Sequence, residues 1–257
     1  MRLLSLAEDQ RSADRNELVI SYLCLRQVVG WIGTLLPIVL LVGGALSSQA
    51  RPDSMSGYYY TDMRNVFVGA LCALGAFLGA YDGYDCLDRW ITNIAGFCAI
   101  GVAFCPTKPT VCAAGAGACP ASSVTQLSTL QQVVGDLHVF FAVTTFTMLG
   151  LMALRFATDG KTPRYRGAIC IYRASGSTIL SCVLLAVLSN LLPASVNAHW
   201  PLLFIFEAIA VFSFGVSWFV KGRTMDDPEP GLRAAPTAAV AGLPRRARPE
   251  LIRRHDG

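Results

Sequence analysis

Charge is scarce in this chain. Only 15% of its 257 residues are Asp, Glu, Lys or Arg, against about 25% in an ordinary soluble domain, while 53% are hydrophobic. The surplus apolar surface must face lipid. A formal net charge of +4 is too small to indicate a nucleic-acid partner. Catalytic signatures are also missing: no glycine-rich phosphate loop, no Gly-x-Ser-x-Gly elbow, no Cys-x-x-Cys and no His-Glu-x-x-His. The serine and cysteine content alone nominates no nucleophile. Residues 1–26 mix Arg2, Arg11, Arg15 and Arg26 with Glu8, Asp9, Asp14 and Glu17 and lack a central apolar block. No cleavable signal peptide is expected there; the first apolar run serves as the signal and stays in place.

What the chain does have is six apolar runs, at 28–46, 66–81, 90–104, 133–154, 169–192 and 200–220. Each is long enough, or nearly so, to cross about 30 Å of hydrocarbon, the third being the shortest. The sequence predicts an all-α protein, a six-span transmembrane helix bundle over 27–222. Residues 1–26 form a cytoplasmic lead-in whose apolar stretch 18–25 lies at the interface. Residues 223–257 form a disordered basic tail, and its Arg245, Arg246, Arg248, Arg253 and Arg254 are drawn to anionic lipid.

Orientation follows from the connections. Arg155, Lys161, Arg164, Arg166 and Arg173 stand against Asp159 alone between spans four and five, and Lys221 and Arg223 follow span six. Both regions read as cytoplasmic. The connection 105–132 has one cation, Lys108, and 193–199 has none, so both read as external. These assignments agree only with an even number of spans and with N- and C-termini in the cytoplasm. Asp82, Asp85 and Asp88, balanced only by Arg89, read as a solvated acidic turn.

The second span is entered through Tyr58-Tyr59-Tyr60-Thr61-Asp62-Met63-Arg64. Tyr58, Tyr59 and Tyr60, with Trp200, read as anchors at the membrane interface. Gly75, Gly79 and Gly83 recur every four residues, a smooth strip for close helix approach. Packing inside this bundle outweighs a dimerisation face, because six spans need small residues at their crossings.

The topology brings Asp62, Arg64, Asp136, His138, Asn190, Asn197 and His199 to one outer level. Glu207 lies about two turns deeper than Trp200, roughly 10 Å along the axis. An ionisable group at that depth is a functional-site candidate, and its expected partner is Arg64 or a histidine. His138 and His199 with a carboxylate invite a zinc site, although Asp136 and His138, two apart on a helix, point to different sides. Cys105, Cys112 and Cys119, at intervals of seven in a polar loop, allow one disulfide in an oxidising compartment.

At residues 58–69, 137–141, 171–176 and 206–222 (Phe-Glu-Ala-Ile-Ala-Val-Phe-Ser-Phe-Gly-Val-Ser-Trp-Phe-Val-Lys-Gly) the chain resembles a family of uncharacterised bacterial multi-span inner-membrane proteins. The resemblance runs over about 20–222 and implies fold and location, the bacterial cell membrane, but no activity. A remoter similarity is to the membrane hydrolases that include alkaline ceramidases and progestin-receptor-like proteins, which hold zinc with three histidines. Only His138 and His199 lie in the membrane region here, with no His-x-x-x-His pair, so that ligand set does not carry over.

The expected function is non-enzymatic and needs no cofactor: binding or sensing a membrane lipid or a partner, either another membrane protein or a second copy of the chain. Its site would be an outer-face polar pocket of spans two, four and six. One rival is a metal-dependent hydrolase of lipid amides or esters using His138, His199, Asp62 and Asp136. Another is a small proton-coupled transporter centred on Glu207.

Overall fold

A computed structural model describes residues 2–47, 52–81, 83, 85–108, 127–158, 166–189 and 201–224, with side chains from Cys24 onward except those of Arg166 and Thr224. Among these residues the protein is all-α. Six helices follow one another: α1 (Arg2–Leu46), α2 (Arg64–Gly79), α3 (Cys86–Phe104), α4 (Thr129–Thr158), α5 (Arg166–Ser189) and α6 (Leu202–Thr224), with a 3₁₀ turn Ser56–Tyr60 before α2. The α1 helix continues without a break through residue 26, the expected edge of the membrane domain. The tail from residue 225 lies outside the described residues.

Four stretches are long and apolar enough to cross a membrane: Cys24–Leu46, Thr129–Thr158, Gly167–Ser189 and Leu202–Arg223. The α2 helix has 16 residues, which at 1.5 Å each reach about 24 Å. It falls short of the about 30 Å of hydrocarbon. The α3 helix has 19 residues, but Asp88, Arg89 and Asn93 dilute its first turns.

The helices close into a ring. The α1 helix packs on α6, α6 on α5, α5 on α4, α4 on α3, α3 on α2, and α2 returns to α1. Neighbours run in opposite directions, as their end contacts show. At one end Arg26 of α1 donates to the Tyr81 hydroxyl just past α2, Arg155 of α4 meets the start of α3, and Lys221 of α6 lies over the Phe156 ring of α4. At the other end Tyr60 reaches the Thr107 carbonyl after α3, and the Phe204 amide of α6 meets Asp53 after α1.

Small residues let the helices approach. On α1 and α6, a Cβ on Gly33 would lie 2.9 Å from the Gly215 Cα, and one on Gly215 would lie 2.7 Å from the Gly30 carbonyl. On α2 and α3, a Cβ on Gly75 would lie 2.7 Å from the Gly96 carbonyl, so Gly75 packs inside the bundle. The expected strip does not extend further as one face. Gly79 has open space where its Cβ would be, and Gly83 lies beyond the helix end against Asp88.

Asp82 of the acidic turn lies outside the described residues, and Asp85 and Asp88 differ from expectation. Asp85 caps α3 by accepting the Asp88 backbone N–H at 2.8 Å, and both carboxylates grip Arg155, Asp88 at 2.6 Å and Asp85 at 2.5 Å. Asp88 is buried. The reason is topological: antiparallel packing sets the first turn of α3 beside the last turn of α4, where a cation awaits. Outward-facing Trp31, Trp90, Phe97, Phe104 and Phe140 are more than half exposed, a surface that water would not tolerate in such number and lipid does.

Candidate functional site

The segment after α1 folds over the first turns of α6. Ser54 shapes it, its hydroxyl accepting the Gly57 backbone N–H at 3.0 Å. The Asp53 carbonyl accepts the Phe204 N–H at 2.9 Å, satisfying one of the amides that a helix start leaves unpaired. One turn further along α6, Glu207 Oε2 accepts the Met55 backbone N–H at 2.6 Å. The Ser56 amide adds a second interaction with the same carboxylate. A carboxylate at membrane depth is thus solvated by backbone donors.

Arg64 is not its partner. The guanidinium donates to the Tyr59 hydroxyl at 2.5 Å and stands 4.1 Å from the centre of that ring, on the exposed start of α2. The physical reason is competition: the Met55 and Ser56 amides already fill the place in front of Glu207, and Arg64 finds a nearer aromatic face. The tyrosine triplet likewise divides. Tyr58 is buried against Phe204, ring centres 6.1 Å apart, and is no interfacial anchor. Tyr59 holds Arg64. Tyr60, 49% exposed, donates to the Thr107 carbonyl at 2.7 Å.

Across the bundle His138 is buried on α4. Its Nδ1 lies 2.6 Å from the Cys105 carbonyl oxygen; a carbonyl only accepts, so Nδ1 carries the proton. Asp136 points the other way, exposed and paired with Lys108 at 2.6 Å, as its two-residue offset requires. Asp62 also stands exposed at the start of α2. His199, Trp200, Asn190, Asn197, Cys112 and Cys119 lie outside the described residues, and Cys105 carries a free thiol. Among the described residues no group of three or more His, Cys, Asp or Glu could hold a metal ion.

Two adjoining spaces bring His138 and Glu207 together. An inner cavity of about 60 Å³ lies at the centre of the ring, walled by apolar side chains such as Leu36, Leu71, Val102 and Phe214, with Thr145 also in its wall. An outer cleft of about 210 Å³ lies between α4, α5 and α6, where Val139 and Val143 face Val183 and Val187. Further along the same two helices the contact is close: a Cβ on Gly176 of α5 would lie 2.9 Å from the Gly150 carbonyl of α4. The cavity and the cleft share Ser56, His138, Ala142, Phe146 and Glu207 as walls.

Of the expected site residues, His138 and Glu207 therefore meet at one site, while Asp62, Arg64 and Asp136 remain outside it. Sequence reasoning missed Thr145 and Ser56. Thr145 had a signal: it stands seven residues, two turns, after His138, on the same helical face. Ser56 had none, because a loop residue is brought to the site by the fold of residues 52–60. No family model matches the chain, and no curated protein or solved structure matches it either.

Proposed function

We propose that this chain crosses the bacterial inner membrane six times, with both termini in the cytoplasm, and binds a membrane amphiphile in the cleft between α4, α5 and α6. Six crossings are supported by the ring, in which α2 and α3 complete the wall made by the longer helices and alternate in direction with them. The orientation is supported by the cations: Arg155, Lys221 and Arg223 gather at one end, whereas Arg64 and Lys108 stand at the other. Location in the inner membrane rests on the resemblance carried by residues 58–69 and 206–222.

The cleft carries the binding reading. Its walls are mostly valine, alanine and leucine, and His138, Ser56 and Glu207 lie along its inner side. Ligand sites are of this kind, apolar with a few convergent polar groups that fix orientation. An amphiphile has the matching division, with its chain against the valines and its polar end toward Glu207. A photoreactive long-chain amphiphile added to the purified protein in detergent is expected to label it. Val183→Trp, which fills the cleft, is expected to abolish labelling while leaving the melting temperature unchanged. Equal labelling of the two proteins would remove the cleft from consideration.

A further inference from the structure

Thr145 is buried in the middle of α4, 7% exposed, and its hydroxyl has no hydrogen-bond partner among the described residues. Helical serines and threonines commonly return the hydroxyl to a carbonyl three or four residues back. Others in this chain do so: Thr92 to Asp88 at 3.0 Å, Thr147 to Val143 at 2.7 Å and Ser217 to Phe214 at 2.7 Å. Thr145 instead lines the inner cavity. A buried polar group without a partner is destabilising, so the hydroxyl awaits something that enters that space.

Three properties define what enters. Size comes first: at about 60 Å³ the cavity is smaller than the cleft of about 210 Å³, so the compact end of a ligand belongs in the cavity and its chain in the cleft. Charge is second: the described residues that line the cavity include the acidic Glu207 and no lysine or arginine, so nothing there balances an anion. Hydrogen bonding is third. Glu207 offers acceptor oxygens, Thr145 donates and accepts, and the Nδ1 proton of His138 is already committed to Cys105. A hydroxyl group satisfies all three.

We infer that the cavity takes the small, neutral, hydroxyl-bearing head of a single-chain amphiphile, which passes between His138 and Glu207 to pair with Thr145 while its chain lies in the α4–α5–α6 cleft. This deepens the proposed function and rests on it.

The test uses the full-length protein in detergent and two photoreactive probes of equal chain length, a long-chain alcohol and the corresponding carboxylate. The alcohol is expected to bind at least about tenfold more tightly than the carboxylate. Thr145→Val is expected to lose about tenfold in alcohol affinity, the effect of one hydrogen bond of about 1.4 kcal/mol. Thr145→Ser, which keeps the hydroxyl, is expected to retain it, and melting curves check that each variant folds. Equal binding of the two probes, or undiminished alcohol binding by Thr145→Val, overturns this inference alone and leaves the cleft standing. Binding of neither probe by the wild type overturns the cleft as well.

Discussion

The Glu207 carboxylate on α6 is bonded to the backbone of Met55 at 2.6 Å, across 152 positions of sequence, and it fastens the segment after α1 over the start of α6. Glu207→Ala removes the acceptor and leaves the Met55 and Ser56 amides unpaired in a partly buried place. A loss of about 1–3 kcal/mol is expected, which lowers the melting temperature by about 2–4 °C for each kcal/mol. Glu207→Gln keeps an acceptor oxygen and should lose less. Arg64→Ala removes only an exposed contact with Tyr59, worth about 0.5–1 kcal/mol. Because the two residues have no common partner, the double variant should equal the sum of the singles within about 0.5 kcal/mol. Thermal melting in detergent measures all four variants against the wild type, and a strongly non-additive double variant would restore the Arg64–Glu207 pair.

Glycine positions should sort by what surrounds them. Gly215→Ala sets a Cβ 2.5 Å from the Thr34 amide nitrogen and 2.7 Å from the Gly30 carbonyl. Backbone cannot yield as a side chain can, so α1 and α6 must separate, at about 1–3 kcal/mol. Gly75→Ala meets the Gly96 carbonyl in the same way. Gly69→Ala meets nothing within 4 Å and gains helix propensity, about 0.5–1 kcal/mol. Melting temperatures should therefore fall for the first two variants and hold or rise for the third; a fall at Gly69 would show that this face of α2 is covered in the detergent-solubilised protein.

These glycines also mark how far the sequence alone reaches. The helices were legible because apolar length at 1.5 Å per residue is a direct signal: all six expected runs end within a few residues of a helix end, and only the first begins far from a helix start. The value of Gly75 was legible from its four-residue spacing, but the partner Gly96 was not, because contact across helices depends on rotation. Glu207 stood out as an ionisable residue at membrane depth. Its partner could not be read, since pairing rules consider side chains and the donors here are the backbone amides of Met55 and Ser56. For the same reason Asp85 and Asp88 looked solvated: Arg155 lies 67 positions from Asp88, and only the ring topology brings them together.

The contact between α3 and α4 should weaken in acid. The Asp88 backbone N–H, and behind it the Arg155 charge, hold the Asp85 carboxyl below its ordinary value of 3.8. A carboxyl that is more acidic in the folded protein than in the unfolded chain stabilises the fold above its unfolded value. That contribution disappears as the pH falls through the folded value. Lowering the pH from about 6 toward 3 should thus reduce the melting temperature of the wild type, and Asp85→Asn, which has no proton to gain there, should show a shallower decline. Parallel curves for the two proteins would mean that Asp85 contributes nothing to the acid sensitivity.

The crossing number can be tested with two positions on opposite sides of three helices. Lys108 follows α3 and Arg223 ends α6, so α4, α5 and α6 lie between them. Three crossings are odd and must put the two residues on opposite faces of the membrane. The nine native cysteines are first replaced by alanine, with a melting curve to check the fold because Cys98 and Cys182 are buried. Lys108→Cys and Arg223→Cys are then made singly in that background. A membrane-impermeant thiol reagent added to intact cells should label position 108, and position 223 only after lysis. The reverse pattern would keep six crossings and invert the protein, moving both termini outside. Labelling of both positions from the same side would require an even number of crossings among α4, α5 and α6, and the ring could then not be a ring of six membrane-spanning helices.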